Sequence, residues 1–266
     1  MHSDRGSELR QELRTDRCWP SEREVAAEVP IEVDADRACR VLDSVPFWFH
    51  TFALNRGLGL YTPGAARDHG YRLASIPDSF AGLRVLDVGA FDGFYSFLAE
   101  ARGAKRVLAI DNEQYVHWVR DRWKVKLEGG EGFDAIHALL GSGIEYRRTD
   151  AYALDNMGER FDFIFCFGIL HRVEDPLGLL RVLASRLAEG GRILIETYGV
   201  RDHGGSEDRA LRPAPGAVYP QDRFVYWQFS SSALANLAAQ THGSSFELHA
   251  TPIVDGHPRI IGTMSS

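Results

Sequence analysis

Cysteine is scarce in this sequence of 266 residues, which has only Cys18, Cys39 and Cys166. An odd number of cysteines without a CxxC spacing predicts neither a disulfide framework nor a structural zinc site. The sequence also lacks the run of about 18 apolar residues that a membrane span requires, and its polar first residues lack the apolar stretch of a signal peptide. We therefore expect a cytoplasmic protein with no membrane partner.

Basic residues are in the minority, with 30 Lys and Arg against 37 Asp and Glu and a formal net charge of −7. Binding through the phosphates of a nucleic acid requires clustered Lys and Arg, and the sequence contains no such stripe. The charge therefore argues against a nucleic-acid partner. It permits a cationic small substrate, although acidity is also the ordinary state of many soluble enzymes.

Short apolar runs alternate with helical patterns from residue 84 onward. The predicted strands cover 84–89, 106–110, 144–148, 161–167 and 192–198, with two closing strands at 246–254 and 259–263. The predicted helices cover 94–102, 114–127, 133–140, 177–187 and 233–240. This alternation predicts an α/β fold, with right-handed crossovers and a parallel sheet between helices.

The chain divides into two parts. Residues 1–80 contain a predicted helix over 31–45, an aromatic cluster at 47–52 and a glycine-rich stretch at 55–64 that we expect to be irregular. We expect this part to form a helical, aromatic lid on the substrate side. Residues 81–266 form the predicted α/β domain, with an insertion at about 199–229.

A glycine turn follows the first predicted strand of this domain. Gly89 permits a sharp turn, and Gly93 lets the next helix begin close to a ligand, at the sheet edge where such folds bind ligands. Asp111 ends the next strand, 24 residues after Asp87, where a carboxylate can accept both hydroxyls of a ribose. Asp87 and Asp92 would repel phosphates, so S-adenosylmethionine, with a ribose and a sulfonium, fits better than a dinucleotide.

Two segments carry a resemblance to a known family. The run VLDVGAFDGFYSFLAEARGAKRVLAID resembles motif I and the following acidic strand end of class I S-adenosylmethionine-dependent methyltransferases. Residues 161–197 resemble the fourth strand, post-strand loop, helix and fifth strand of that fold. With WFHTF at 48–52 and YTPG at 61–64, the pattern resembles the branch related to the tRNA wobble-uridine methyltransferases. The resemblance implies a Rossmann-like, seven-stranded sheet.

The resemblance also implies the residues of the cofactor site. The turn would surround the methionine part, Asp111 and Asn112 the ribose and adenine, and Asp150 the adenine amino group, with Phe167 at the border. The full implied set is Asp87, Gly89, Ala90, Phe91, Gly93, Asp111, Asn112, Asp150, Ala151 and Phe167. One position departs from the family, because the usual middle glycine of motif I is Phe91, which we interpret as changed packing.

Two histidines are candidate catalytic bases. A base is needed when the attacking atom of the acceptor carries a proton, and histidine titrates near neutrality. His171 follows the fourth predicted strand of the α/β domain, at the edge where the methyl group should lie, and is the first candidate. His50, in the aromatic cluster, is the second.

Candidate substrate-binding residues are aromatic or acidic. Trp48, Tyr61, Tyr226 and Trp227 are expected to roof the pocket, since aromatic faces attract cations, although core packing is the alternative for each. Glu196 ends the fifth strand and is a candidate to accept a hydrogen bond from a substrate amine, with a structural role as the equal alternative. The spacing of His, Asp and Glu forms no recognisable metal-ligand set, so we expect no metal.

The acceptor remains open between three interpretations. The first is a small hydroxylated natural product methylated on nitrogen or oxygen, with an amino sugar of the aminoglycoside antibiotics as the best single example. The second is a tRNA wobble-uridine type of RNA modification. Those relatives can use a carboxylated cofactor, but His171 stands where a tyrosine is expected, which favours ordinary S-adenosylmethionine. The third is a non-catalytic module that binds adenosyl ligands.

Overall fold

The computed structural model describes residues 19–66, 69–200, 211–213 and 224–265. Its strands are β1 (Ala53–Asn55), β2 (Leu60–Tyr61), β3 (Arg84–Val88), β4 (Arg106–Asp111), β5 (Glu145–Arg148), β6 (Phe161–Phe167), β7 (Leu187–Tyr198), β8 (Leu211–Pro213), β9 (Trp227–Phe229), β10 (Ser245–Ala250), β11 (Ile253–Val254) and β12 (His257–Ser265). Its helices are α1 (Glu22–Ala26), α2 (Ala35–Ser44), α3 (Gly70–Leu73), α4 (Phe94–Ala101), α5 (Gln114–Trp123), α6 (Glu131–Leu140), α7 (Pro176–Ser185) and α8 (Ser231–Ala239), with 3-10 turns at Ala151–Asn156 and Leu170–Arg172.

The main sheet has the strand order β5-β4-β3-β6-β7-β12-β10, and β11 pairs with β12 alongside it. Strands β3 to β7 pair in parallel, whereas β12 is antiparallel to both β7 and β10. The chain leaves β3 toward β4 on one side and returns to β6 on the other, so β3 is the switch point of the sheet. The predicted Rossmann-like α/β fold is confirmed.

Local backbone geometry changes two of the predicted elements. The helix predicted over 114–127 ends at Trp123, because Lys124 takes a left-handed conformation with φ of 61°. The glycine-rich stretch at 55–64 is not wholly irregular, since β1 and β2 form a short antiparallel hairpin across it.

The glycines after α7 lie within a strand. The helix ends at Ser185, before the predicted end at 187, and Gly190 and Gly191 lie within β7. They occupy a bulge, because the pairing of β7 with β6 shifts register between Phe161 and Phe163. Between these two pairs β6 advances by two residues and β7 by five, so three additional residues of β7 are accommodated here, and glycine permits the required bend.

The N-terminal segment shares a hydrophobic core with one face of the sheet. Trp48 and Phe52 pack in the same buried cluster as Val85 of β3, Phe94 of α4 and Phe163 of β6. The opposite face packs on α7 and α8 in a second cluster. Within the described ranges, no helix combines the length and apolarity required to cross a bilayer.

A buried carboxylate joins three elements near the end of β7. Glu196 is fully buried and accepts hydrogen bonds from Arg72 of α3 at 2.6 Å, from Nη2 of Arg259 of β12 at 2.9 Å and from the Tyr71 hydroxyl at 3.1 Å. Burial raises the pKa of Glu196, but Arg259 and Arg72 outweigh that effect and lower the pKa to about 2.

We predict that the ionised carboxylate of Glu196 stabilises the fold and that this stabilisation is lost at acidic pH. Because its folded pKa is depressed, the contribution is present above the unfolded value of about 4.3 and is lost as the pH falls toward 2. Glu196→Gln should lower the free energy of unfolding at neutral pH by about 3–5 kcal/mol, since it leaves two buried arginines without their counterion. It should also flatten the dependence on pH below 5, measured by urea unfolding across pH.

The matched control is Glu28→Gln, which removes a partly exposed ion pair with Arg102. Exposed pairs contribute roughly 0–1 kcal/mol to stability, so the free energy of unfolding of this variant should lie within about 1 kcal/mol of the wild-type value. Equal losses in both variants would contradict the assigned role of Glu196.

Candidate active site

An open cavity lies at the carboxyl edge of the parallel strands. The ends of four strands contribute to its lining through Gly89 after β3, Asp111 of β4, Phe167 of β6 and Tyr198 of β7. Such an edge, beside the switch point of an open α/β sheet, is where this type of fold binds ligands.

The turn after β3 holds an unusual aromatic residue. Phe91 has φ of 58°, a left-handed conformation that costs a non-glycine residue roughly 1–2 kcal/mol. Its ring stacks on Phe49 with 4.6 Å between centroids and packs against Tyr115 at 4.7 Å. Its backbone N–H donates to Asp111 at 2.6 Å. These contacts offset the strain and give the changed packing expected at this position of motif I.

Gly89 has φ of 77°, in the left-handed region that favours glycine, and it lies close to the side chain of Ile169. A Cβ atom built there would stand 2.2 Å from Cδ1 of Ile169. The turn therefore brings its backbone against the loop that follows β6, and the two segments form adjoining walls of the cavity.

Asp111 has the properties expected of a ribose-binding carboxylate. It is buried and lines the cavity. Burial raises its pKa well above the usual value, the Phe91 N–H opposes that rise, and the charges of Asp87 and Asp92 add to it. A buried acid in this position gains from further hydrogen-bond donors, which the two hydroxyls of a ribose supply. The residues present thus fit the adenosyl part of S-adenosylmethionine.

The residues predicted to bind the adenine also lie close together. Asn112 donates its amide to Asp150 at 3.0 Å, and Asp150 accepts the N–H of Tyr152 at 2.9 Å. Asn112, Asp150, Ala151 and Phe167 all line the cavity.

Three predicted cofactor residues shape the turn from behind rather than lining the cavity, namely Asp87, Ala90 and Gly93. Asp87 accepts the hydroxyl hydrogen of Ser96 at 2.6 Å, and burial raises its pKa to about 6. Gly93 begins α4 with φ of 82°, and a Cβ there would lie 2.6 Å from the ring of Phe133.

His171 lines the cavity and is almost completely buried. Its Nδ1 is 3.1 Å from the Thr197 hydroxyl, and its Nε2 has no hydrogen-bond partner in the described part of the chain. Burial holds the pKa of His171 well below the usual value, reinforced by Arg172, Arg259 and Arg72. The ring is therefore neutral near pH 7, and one nitrogen is available to accept a proton.

His50, the second predicted base, lies outside the lining of this cavity. Its Nδ1 contacts the carboxylate of Asp92, and its backbone N–H donates to the same carboxylate at 2.8 Å. It borders a small separate pocket with Thr51 and Phe94. The structure therefore does not bring His50 together with His171.

None of the five predicted substrate-binding residues lines the cavity as the described residues form it. Glu196 is enclosed by its two arginines and has no free edge for a substrate amine. Trp48 is a core residue, 2% exposed. Both side chains suit a substrate site by residue type, but Glu196 binds arginines that lie far away in sequence and Trp48 packs in the core with Phe52.

The three remaining aromatics have structural contacts. Tyr61 lies in the β1–β2 hairpin with the Arg23 guanidinium 5.3 Å from its ring centre. Tyr226 donates its N–H to the carbonyl of His171 at 2.8 Å, and the Trp227 indole donates to the Val173 carbonyl at 2.8 Å. Tyr226 and Trp227 thus support the loop that carries His171.

Four arginines line the cavity. Arg72 and Arg259 line it from α3 and β12, Arg122 lies near the ring of Trp123, and Arg172 lies near the ring of Trp118. Arg172 is recognisable from the sequence as a cation in the loop after the fourth strand, whereas Arg72, Arg122 and Arg259 were not predicted. Arg259 reaches the site because it pairs with Tyr198, which brings the start of antiparallel β12 to the cavity.

Two further expectations from the sequence concern a metal site and the acidic residues of the predicted insertion, which could bind a polycationic substrate or form a solvated loop. In ranges 19–66, 69–200 and 224–265, no group of three or more His, Cys, Asp or Glu is placed to hold a metal ion. The acidic residues of the predicted insertion, Asp202, Glu207, Asp208 and Asp222, lie outside the described residues.

A sequence profile of the methyltransferase domain family matches residues 61–243, more than half of the chain. The chain belongs to this family. Together with the strand order and the cofactor-side residues, this identifies it as a class I S-adenosylmethionine-dependent methyltransferase.

Curated relatives carry the name tRNA U34 carboxymethyltransferase. The relative from Campylobacter jejuni subsp. doylei is 27% identical over 171 residues, covering 64% of this chain and 53% of the relative. The relative from Sulfurimonas denitrificans is 28% identical over 170 residues, covering 64% and 51%. The chain spans about half the length of these curated relatives.

Solved methyltransferases share the fold. The N-terminal domain of EvdMO1 with SAH bound superposes with a TM-score of 0.59 at 20% identity, covering 88% of this chain and 97% of that one. The mitomycin 7-O-methyltransferase MmcR superposes with a TM-score of 0.51 at 16% identity, covering 74% and 52%.

We predict that Asp111→Ala abolishes most of the affinity for the cofactor. Loss of two charge-assisted hydrogen bonds, each contributing roughly 1.5–3 kcal/mol, should weaken binding by about 100-fold or more. Isothermal titration with S-adenosylhomocysteine measures this directly. Asp162→Ala, which removes a part-buried partner of Arg84 on the next strand, is the control and should bind with wild-type affinity. Unchanged affinity in Asp111→Ala would refute the ribose assignment.

Proposed function

We propose that this chain transfers the methyl group of S-adenosylmethionine to an oxygen or nitrogen of a small hydroxylated acceptor, with His171 as the general base. The observation that carries the proposal is the unpartnered Nε2 of a buried, neutral histidine that lines the same cavity as Asp111 and the glycine turn. A non-catalytic adenosyl-binding module would have no use for such a group.

The cofactor supplies, when bound, a methyl carbon made electrophilic by the sulfonium. The protein positions the reactants and manages the proton. The Thr197 hydroxyl lies 3.1 Å from Nδ1 of His171 and fixes the ring. Nε2, which has no hydrogen-bond partner among the described residues, then takes the proton from the attacking hydroxyl or amine. The low basicity of His171 matches an acidic acceptor group, such as a phenol, better than an aliphatic alcohol.

The charge of the cavity refines the class of acceptor. The sequence alone favours an amino sugar as found in aminoglycoside antibiotics. The lining contains four arginines, whereas among its described residues only Asp255 is acidic apart from the two cofactor-side aspartates. This balance disfavours a polycation, so within the hydroxylated natural products we favour an acceptor that carries an anionic group.

We predict that His171→Ala lowers kcat by about 10²–10⁴, the usual contribution of a general base. Affinity for S-adenosylhomocysteine should stay within about threefold of the wild type, because the ring lies on the acceptor side of the cavity. Steady-state kinetics measure the change in kcat, and isothermal titration measures the affinity for S-adenosylhomocysteine. Tyr226→Phe, which keeps the backbone hydrogen bond to His171, is the control. Parallel loss of turnover and cofactor affinity in His171→Ala would indicate a structural role.

The pH profile provides a second check on the base. Because the pKa of His171 is lowered, the ring stays neutral below pH 6.5, and activity should persist into that range before falling as the ring protonates. An acid limb that is centred above pH 6.5, or that survives in His171→Ala, would assign the base to another group.

A second candidate is transfer of a carboxymethyl group, as the name of the curated relatives describes for them. Arg72 and Arg259 place two positive charges beside His171 against the single carboxylate of Glu196. This buried excess of positive charge complements a carboxylate, carried either by the acceptor or by a carboxylated cofactor. A tRNA acceptor belongs to this candidate.

A two-way assay separates the candidates. The protein is incubated with labelled S-adenosylmethionine or its carboxylated analogue and with bulk tRNA, phenolic acids or aminoglycosides. We expect methylation of a phenolic acid and a roughly tenfold higher KM for it in Arg259→Gln, from the loss of one charged hydrogen bond. Activity confined to tRNA and the carboxylated cofactor would replace the first candidate with the second.

A further inference from the structure

The carboxylate of Asp92 is directed at the N-terminal segment. Asp92 stands in the turn after β3 and is 2% exposed. One carboxylate oxygen accepts the backbone N–H groups of Phe49 and His50 at 2.8 Å each, and the other contacts Nδ1 of His50. All three partners belong to two consecutive residues that precede it by more than 40 positions.

The same segment also holds the neighbouring residue of the turn. The ring of Phe49 stacks on Phe91, with the planes 27° apart. Phe49 therefore contacts the turn at two points, because its N–H donates to Asp92 and its ring stacks on Phe91. These contacts fix two successive residues, one of them in a left-handed conformation that a phenylalanine does not hold unaided.

The fixed turn also orients the carboxylate of Asp111, the proposed ribose ligand. The N–H of Phe91 donates to one oxygen of Asp111 at 2.6 Å. That bond orients the carboxylate and occupies one side of it, which leaves the rest for the cofactor. A chain of contacts thus runs from His50 and Phe49 through Asp92 and Phe91 to Asp111.

We propose that Asp92 and His50 are positioning residues for S-adenosylmethionine, which act through Phe91 and Asp111 without touching the cofactor. The N-terminal aromatic segment is then a fixed wall of the cofactor site, and His50 serves binding rather than proton transfer. The proposal rests on the cofactor site and is independent of the choice of acceptor.

The test compares disruptive and conservative variants of both residues. Asp92→Ala should raise the dissociation constant for S-adenosylhomocysteine and the KM for S-adenosylmethionine about tenfold or more, because two buried N–H groups lose their acceptor. Asp92→Asn keeps an oxygen for both N–H groups and should stay within about twofold. His50→Leu should weaken binding, and His50→Asn, which places an amide nitrogen near the position of Nδ1, should restore it. In each variant kcat at saturating cofactor should change less than KM.

Two further measurements exclude a merely structural effect. Thr62→Val removes hydrogen bonds to Phe52 and His50 within the same segment but does not touch the turn. Even if it lowers the melting temperature as much as Asp92→Ala does, it should bind S-adenosylhomocysteine with nearly wild-type affinity. Asp92→Asn also removes one of the charges that, with Asp87, raises the pKa of Asp111. The acid limb of S-adenosylhomocysteine binding should therefore move to lower pH in this variant.

Three results would overturn the proposal. Wild-type cofactor affinity in Asp92→Ala would show that the turn holds its shape alone. Equal weakening in Thr62→Val would reduce the effect to general loosening of the segment. A loss of kcat with unchanged cofactor affinity in His50→Leu would return His50 to the role of a catalytic base.

Discussion

The site depends on the position of β3 between β4 and β6. Strand β3 pairs in parallel with both neighbours. The segments that follow β3 and β6 leave the carboxyl ends of these strands toward opposite sides of the sheet, and a crevice forms between them. Gly89 and Asp111 reach the crevice from β3 and β4, and Phe167 and His171 reach it from β6. One topological constraint thus brings cofactor residues and the proposed base together, although they are separated by more than 80 residues of chain.

The two halves of the cavity have different electrostatic character. The cofactor half is acidic, with Asp111 and Asp150, and suits a ribose and an adenine amino group. The half beyond His171 is basic, with Arg72 and Arg259 held by Glu196. The net charge of −7 therefore does not describe the surface an acceptor meets, since much of the acidity lies elsewhere in the chain.

Features set by local sequence were predictable, and features set by distant contacts were not. The apolar run of β6 and the acid that ends β4 are readable from a few residues, and so were the strands of the main sheet, whereas the cofactor roles of the residues in the turn stay predictions. Arg72 meets Glu196 across 124 positions and Arg259 meets it across 63, and no local pattern announces that pairing. The same holds for His50, whose partner Asp92 is 42 positions away. Trp48 shows the converse error, because an aromatic residue suited to a pocket roof is equally suited to the core.

The antiparallel direction of β12 determines which of its residues reach the cavity. Because β12 runs opposite to β7, its first residues rather than its last arrive there, and Arg259 enters next to Tyr198 together with Val254 and Asp255 of the adjoining hairpin. The terminal hairpin thus contributes to the cavity independently of the parallel strands. Substitutions at the start of β12 would alter the lining of the cavity without changing the residues between Gly89 and Phe167.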